Sequence, residues 1–239
     1  MKDMKIMICN LSGNMGKTTV VKHLLAPKMQ DARVVVLEST NSGSNELRSP
    51  IHIDVDDFAS LVDVMALEDN VIVDLGASEA KETIRKLKEY EASVHEFDLI
   101  IVPTVPDPKA LEDTITTVMT LNALGVSREK IRIVFNKVPV HQAGKVAILF
   151  SPLIQAVNDM ATVNLELVIY QFEIYNSLKG SQMTIRDVIA DKTNWKAVAR
   201  DSNGMSESER LEALQHNRNQ KAAPPAQRNL DAVFELLCE

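Results

Sequence analysis

A chain of 239 residues with 45% hydrophobic content is long enough to bury one large α/β core with a short appendage. Its net charge of −7 argues against a surface that attracts nucleic acid as a whole. Its two cysteines, Cys9 and Cys238, make neither a disulfide framework nor a metal cluster, and no run approaches the ~18 apolar residues of a membrane span.

The first strand is expected over Met4 to Cys9, an apolar run too short for a signal peptide, so a cytoplasmic location is expected. Directly after it stands Gly13-Asn14-Met15-Gly16-Lys17-Thr18-Thr19, and then a helical stretch over Thr18 to Met29. A strand that stops, small residues that let backbone N–H groups turn inward, and a helix N-terminus together make a phosphate-binding loop. Lys17 is placed to reach the β- and γ-phosphates, and Thr18 to put its hydroxyl on Mg²⁺. The common pattern GxxxxGK[ST] asks for glycine at position 11, where this chain has Leu11, so the loop is a variant one.

Further strands are expected at Arg33 to Glu38, Val71 to Asp74, Leu99 to Pro103, Ile131 to Asn136 and Leu165 to Ile169, with helices over Ser78 to Glu91, Pro108 to Leu124 and Gln142 to Met160. Short, nearly continuous apolar runs alternating with helical spacing describe a doubly wound, mostly parallel sheet flanked by helices. Ligands in such folds sit beyond the carboxyl ends of the strands. At those ends, Asp74 is the candidate acceptor for a Mg²⁺-bound water, or else a turn cap, and Gly76-Ala77-Ser78 is a candidate switch segment. Asn136 carries the donor and acceptor that match an adenine edge, with a turn-forming role as the alternative. Asp54, Asp56 and Asp57 suit the start of a helix, and the five histidines show no metal-ligand pairing.

After about Ala190 the strand–helix rhythm stops. Residues 191–239 are expected to be a helical, partly flexible C-terminal appendage to a nucleotide-binding domain of residues 1–190. The appendage balances seven Lys/Arg against seven Asp/Glu from Lys192 onward, and Asp201 to Gly204 and Gln220 to Pro225 read as exposed connection. Leu230, Val233, Phe234 and Leu237 then form a helical stripe suited to docking on the chain's own core or on a partner. Asp231, Glu235 and Glu239 would repel an anionic membrane.

Taken together, the loop, Asp74, Pro103, Asn136-Lys137 and the run Ile169-Tyr170-Gln171 leading to Lys179-Gly180 resemble the ParA/MinD family of deviant-Walker P-loop ATPases over residues 4–190. More narrowly, Asn10 to Thr18 and His23-Leu24-Leu25-Ala26-Pro27 look like the plasmid-encoded StbB stability proteins. The resemblance implies ATP or ADP with Mg²⁺, a nucleotide-dependent homodimer, and a plasmid-encoded DNA-binding or transfer protein as partner. It further implies slow ATP hydrolysis in plasmid stability, partition or conjugative transfer. Direct DNA contact is also a family habit; the acidic core speaks against it, though Lys192, Lys196 and Arg200 form a local basic group. Two departures stand out. Ser12 replaces the family's further loop lysine, which reaches a partner's nucleotide, and Glu38 and Thr40 stand where family members carry aspartates, one of which orients the attacking water. The expected catalytic set is therefore Lys17, Asp74 and Glu38, and binding is implied more strongly than hydrolysis. A non-hydrolysing adaptor and a small-molecule kinase or synthetase are the rival readings.

Overall fold

The computed structural model describes residues 3–37, 46–90, 93–201 and 204–238. Seven strands form one sheet: β1 (Lys5–Ile8), β2 (Arg33–Leu37), β3 (Ile51–Ile53), β4 (Val71–Leu75), β5 (Leu99–Thr104), β6 (Ile131–Pro139) and β7 (Val168–Gln171). Their order is β3-β2-β4-β1-β5-β6-β7 and every pairing is parallel. The sheet therefore reverses direction of growth about its centre, and β1 lies between β4 and β5 with its carboxyl end opening onto both.

Both faces of the sheet are covered, which is why the strands read as continuous apolar runs rather than as alternating ones. Side chains alternate along each strand. Met7, Val35, Val73, Ile100 and Ile133 enter one core, while Ile6, Ile8, Val36, Ile72, Ile101 and Val134 enter the other.

The first core is closed by α2 (Phe58–Leu67), α3 (Ala80–Glu89), α4 (Pro108–Ala123) and α6 (Ser151–Val157), the last preceded by the single turn α5 (Val146–Leu149). The second is closed by the helix after the phosphate loop and by the C-terminal elements. That helix starts as α1 (Lys17–Val20) and widens into a π-helical turn over Val21–Leu25, in which the Ala26 N–H bonds back to the Val21 carbonyl at 2.9 Å. These C-terminal elements are α7 (Glu173–Ser177), α8 (Ile185–Ala190) and, beyond a short α9 (Trp195–Arg200) that packs against it, the 31-residue α10 (Glu207–Leu237).

Several boundaries differ from those expected of the sequence, each for an identifiable reason. The last strand begins at Val168, not Leu165, because Asn164 opens a turn: its side chain accepts from the Glu166 N–H at 2.9 Å and its carbonyl from the Leu167 N–H at 3.1 Å. The stretch 142–160 is broken into a 3₁₀ segment and two short helices, with Pro152 starting α6. The edge strand β3 had no counterpart among the expected elements, whereas α2 follows the helix start expected at Asp54, Asp56 and Asp57. Asp54 caps the 3₁₀ turn leading into α2 by accepting from the Asp56 N–H at 2.9 Å, the N-terminal role its acidic run suggested.

The largest difference lies at Gln220 to Pro225, which is helix rather than connection, with Pro224 and Pro225 inside α10. A proline in a helix interior costs about 3 kcal/mol. Packing offsets this here: Ala223 and Ala226 are fully buried, and the Gln220 amide donates to the carbonyls of Asp191 and Thr193 at 2.9 and 3.1 Å. The stripe Leu230, Val233 and Leu237 docks on the chain's own second core, and Lys28, just past the π-helical turn, pairs with Asp231 and lies 5.6 Å from the Phe234 ring centroid. Among the described residues, no helix is long and apolar enough to cross a membrane.

Candidate functional site

The loop between β1 and α1 lies at the carboxyl edge of the sheet and opens into a cleft of about 440 Å³. Residues 13–19 form one wall of the cleft, and Asp74 to Ala77 follow β4 into it. The rest of the lining is supplied by Asn136 and Lys137 at the end of β6, by Tyr170 to Phe172 after β7, and by Tyr175, Asn176 and Lys179 beyond.

The loop owes its shape to backbone conformations that most residues avoid. Asn14 has φ 60° and Gly16 φ 80°, both left-handed, a region that asparagine tolerates and glycine enters freely. A Cβ placed on Gly16 would meet the Asn136 amide nitrogen at 2.3 Å, so glycine is required there twice over. At Gly13, which is exposed, an added Cβ would meet nothing within 4 Å, and the protein's own packing makes no demand for glycine there.

Lys17 is buried, and its ammonium donates to the carbonyls of Asn10 at 3.2 Å and Ser12 at 3.1 Å. The entry to the loop is fixed by a buried polar network. Asn10 donates to the Pro103 carbonyl and the Thr114 hydroxyl at 2.9 and 2.8 Å and accepts from the Ser12 N–H at 2.8 Å, while the Thr117 hydroxyl accepts from the Leu11 N–H at 3.1 Å. Because every member is satisfied, such a network rigidifies the chain rather than weakening the core.

Thr18 and Asp74, which lie 56 residues apart in sequence, meet here: the threonine hydroxyl donates to the aspartate Oδ2 at 2.8 Å, with Asp74 itself 3% exposed. A hydroxyl and a carboxylate side by side beside a phosphate loop are oxygen donors of the kind Mg²⁺ takes, since that ion is held by one or two protein oxygens together with phosphate and water. The residues thus fit the metal expected of them. Thr19 lies one residue further along the same wall.

Asn136, for which an adenine contact or a turn-forming role is expected, also braces the loop. Its amide donates to the Met15 carbonyl at 2.7 Å and accepts from the Lys137 N–H at 2.8 Å, tying β6 to the loop across 121 residues of chain. Glu38 and Thr40 lie outside the described residues.

Three features in or beside the cleft had no individual role assigned from the sequence. The first is Lys137, which sits at a register irregularity of β6 with φ 55° and donates from its ammonium to the Asn14 carbonyl at 2.6 Å. Its sequence signal was its place directly after a strand-end residue. The second is Lys22, one helical turn past the loop, whose side chain is 2% exposed and donates to the carbonyls of Leu178 at 2.8 Å and Ser181 at 2.7 Å, with Glu46 at 3.6 Å. Burial lowers its pKa, opposed by the Glu46 carboxylate. The third is the aromatic corner in which His23 and Tyr175 approach to 5.6 Å and Phe172 and Tyr175 to 6.4 Å between ring centroids. His23 is 4% exposed and accepts from the Ile185 N–H through Nδ1. Burial first, and then the Lys22 charge, pushes its pKa down to about 3, so it stands neutral.

A parallel sheet with a phosphate loop after its central strand, a lysine and threonine at the helix start and an aspartate at the end of the adjacent strand define the P-loop NTPase fold. No protein-family model and no curated protein matches the sequence. Among solved structures the chain is similar in fold to the ATP complex of a McdA variant from Cyanothece, with 16% identity, a TM-score of 0.52 and coverage of 100% of this chain and 98% of that one. It is similar also to the MinC:MinD cell division protein complex of Aquifex aeolicus, with 12% identity, a TM-score of 0.53 and coverage of 99% and 96%.

Proposed function

We propose that this chain is an ATP-binding switch protein of ParA/MinD type that binds ATP and ADP with Mg²⁺ and hydrolyses ATP slowly. The observation that carries the reading is the Thr18–Asp74 contact beside a loop whose lysine is already gathered into it. In this reading the N–H groups of residues 13 to 19 and the Lys17 ammonium hold the phosphates, and Thr18 and Asp74 hold the metal, Asp74 through water. Mg²⁺, when bound, neutralises charge on the phosphate oxygens. Asn136 enters as the group that keeps the loop in shape rather than as the chief reader of the base. The aromatic corner of Phe172 and Tyr175 offers the base a flat apolar wall.

Slow turnover follows from what the chain lacks. Ser12 brings no charge to the loop, and the family's water-orienting aspartate is replaced, so Glu38 is the carboxylate we assign to the attacking water. The fold-mate MinD is solved in complex with a second protein, MinC. We extend that habit to this chain as recruitment of a partner, and add nucleotide-dependent dimerisation from the family resemblance, with residues 191–239 as an appendage whose long helix docks on the nucleotide-binding part. The role in plasmid stability, partition or conjugative transfer rests on the likeness of residues 10–18 and 23–27 to StbB proteins.

Two measurements on one preparation test this reading: identification of the nucleotide released on denaturing the purified protein, and phosphate release from ATP over hours. We expect adenine nucleotide in the released fraction, and a slow phosphate release that Lys17→Ala abolishes. A released guanine nucleotide, or phosphate release indifferent to Lys17→Ala, contradicts it.

A further inference from the structure

Among the described residues, buried side-chain atoms of Thr83, Arg132, Tyr175 and Gln227 have no hydrogen-bond partner, and of these four residues Tyr175 alone lines the cleft. Its ring is half-buried and packs on the second core beside His23 and Phe172, while its hydroxyl oxygen is shut off from solvent. A buried hydroxyl without a partner has given up its hydration and gained nothing in exchange. Phenylalanine would supply the same ring without that loss. Burial also pushes the pKa of the hydroxyl up, so it keeps its proton and can donate.

The neighbours explain why the hydroxyl finds no acceptor within the fold. His23 is neutral, and its Nδ1 lone pair is taken by the Ile185 N–H at 3.3 Å, which leaves the ring proton on Nε2. That imidazole has no lone pair left for Tyr175, and Phe172 has none to give. The Asn136 amide is turned to the loop, where it donates to the Met15 carbonyl and accepts from the Lys137 N–H. His23, Phe172, Tyr175 and Asn136 all line the same cleft, so the acceptor has to come from what fills it. A purine offers both things this corner lacks: a flat face for the aromatic rings, and ring nitrogens along its edge that accept.

We propose that Tyr175 determines specificity for the base, its hydroxyl donating to an acceptor nitrogen on the edge of the bound purine. This rests on the nucleotide-binding reading above and adds to it the side chain that reads the base. The phosphates are held by the loop after β1, and the base by α7. Because the hydroxyl is already stripped of water before the ligand arrives, forming the bond costs it no hydration, and the bond counts almost fully toward affinity.

The test compares wild type with Tyr175→Phe in the full-length protein. Affinities for ATP, 2′,3′-dideoxy-ATP and inorganic tripolyphosphate are measured by calorimetry with Mg²⁺ present, and unfolding midpoints are taken without ligand. We expect Tyr175→Phe to lose about tenfold in affinity for ATP and dideoxy-ATP alike, the size of one buried hydrogen bond, and less than about twofold for tripolyphosphate. Its midpoint without ligand should equal or exceed that of wild type, because the ring is kept and only an unpaired hydroxyl is removed. Unchanged ATP affinity, or an equal loss for tripolyphosphate, overturns the role of Tyr175 while leaving nucleotide binding intact. A loss for ATP that is absent for dideoxy-ATP places the hydroxyl on the ribose and overturns the assignment to the base. A lowered midpoint without ligand means that the hydroxyl is paired within the fold, which also overturns it. Wild-type protein that binds none of the three ligands overturns the reading on which the proposal depends.

Discussion

One wall of the cleft comes from a single run of chain, residues 13–19, whereas the adjoining wall is assembled from β6, α7 and the turn beyond it, with Asn136 and Lys137 reaching back 121 and 123 residues to the loop carbonyls. The first wall is shaped by residues that tolerate its backbone, Asn14 and Gly16. The second is shaped by contacts between distant segments: a register irregularity, a buried lysine and an aromatic corner. The contrast shows that a loop with a recognisable motif need not hold itself in place. Here its conformation depends on groups that arrive from the other half of the chain.

The strongest way to break this comparison is at the one point where the walls touch most closely. Gly16→Ala places a Cβ at 2.3 Å from the Asn136 amide nitrogen on a left-handed backbone. We expect it to destabilise the fold by about 3 kcal/mol, from the conformational cost of alanine there plus the clash. Asn136→Ala alone should cost about 1–2 kcal/mol by leaving the buried Met15 carbonyl unpaired. In the double variant the clash is gone, so urea unfolding should show a total clearly below the sum. Strict additivity would mean that the two walls are energetically separate.

A smaller effect is expected further from the loop. Lys22→Met keeps the length of the side chain but removes the donor to the Ser181 carbonyl and one of the donors to the Leu178 carbonyl, which still accepts from the Ser181 hydroxyl and N–H. The expected loss is about 1 kcal/mol, since the lost bonds are offset in part by relief of an expensive buried charge. Hydrogen exchange should show faster opening of residues 178–181 than of β1, and a uniform change across both would count against a local grip.

The last is a pH dependence, absent at neutral pH and growing on acidification. His23 has a pKa near 3 in the folded chain against 6.5 for a free histidine, so below about pH 6.5 the unfolded chain takes up a proton that the folded chain refuses. The stability this group allows is complete above pH 6.5 and falls as pH drops toward 3, at a slope approaching ~1.4 kcal/mol per pH unit. Thermal unfolding between pH 7.5 and 5 should show that fall in wild type, and a shallower one in His23→Gln, which keeps an acceptor for the Ile185 N–H but does not titrate.

How legible the molecule is in its sequence divides along the same line. Strands β1, β2, β4, β5 and β6 could be placed because a strand buried on both faces leaves an uninterrupted apolar run. The edge strand β3, Ile51–Ile53, could not, because three residues with a half-exposed pattern carry no such run. Gln220 to Pro225 reads locally as a break, and only burial of Ala223 and Ala226 against the second core makes it helix. At the site, the meeting of Lys17, Thr18 and Asp74 follows from motif and strand position. Asn136 was found for its place at a strand end, but what its amide touches depends on the loop folding over it. Lys137 and His23 entered only as members of runs that carry a family resemblance, and Lys22 not at all, since their roles are set by contacts across the whole chain.

The central claim, that residues 13–19 with Thr18 and Asp74 form a nucleotide site, is tested most directly by calorimetric titration of the full-length protein with ATP in the presence and absence of Mg²⁺, alongside Lys17→Ala. The account predicts saturable binding of one ATP per chain that is weakened when Mg²⁺ is withheld. It also predicts a loss of about a hundredfold or more in Lys17→Ala, the size expected when a buried charged donor to phosphate is removed. Absence of ATP binding by the wild-type protein, or binding that Lys17→Ala leaves unchanged, would contradict it.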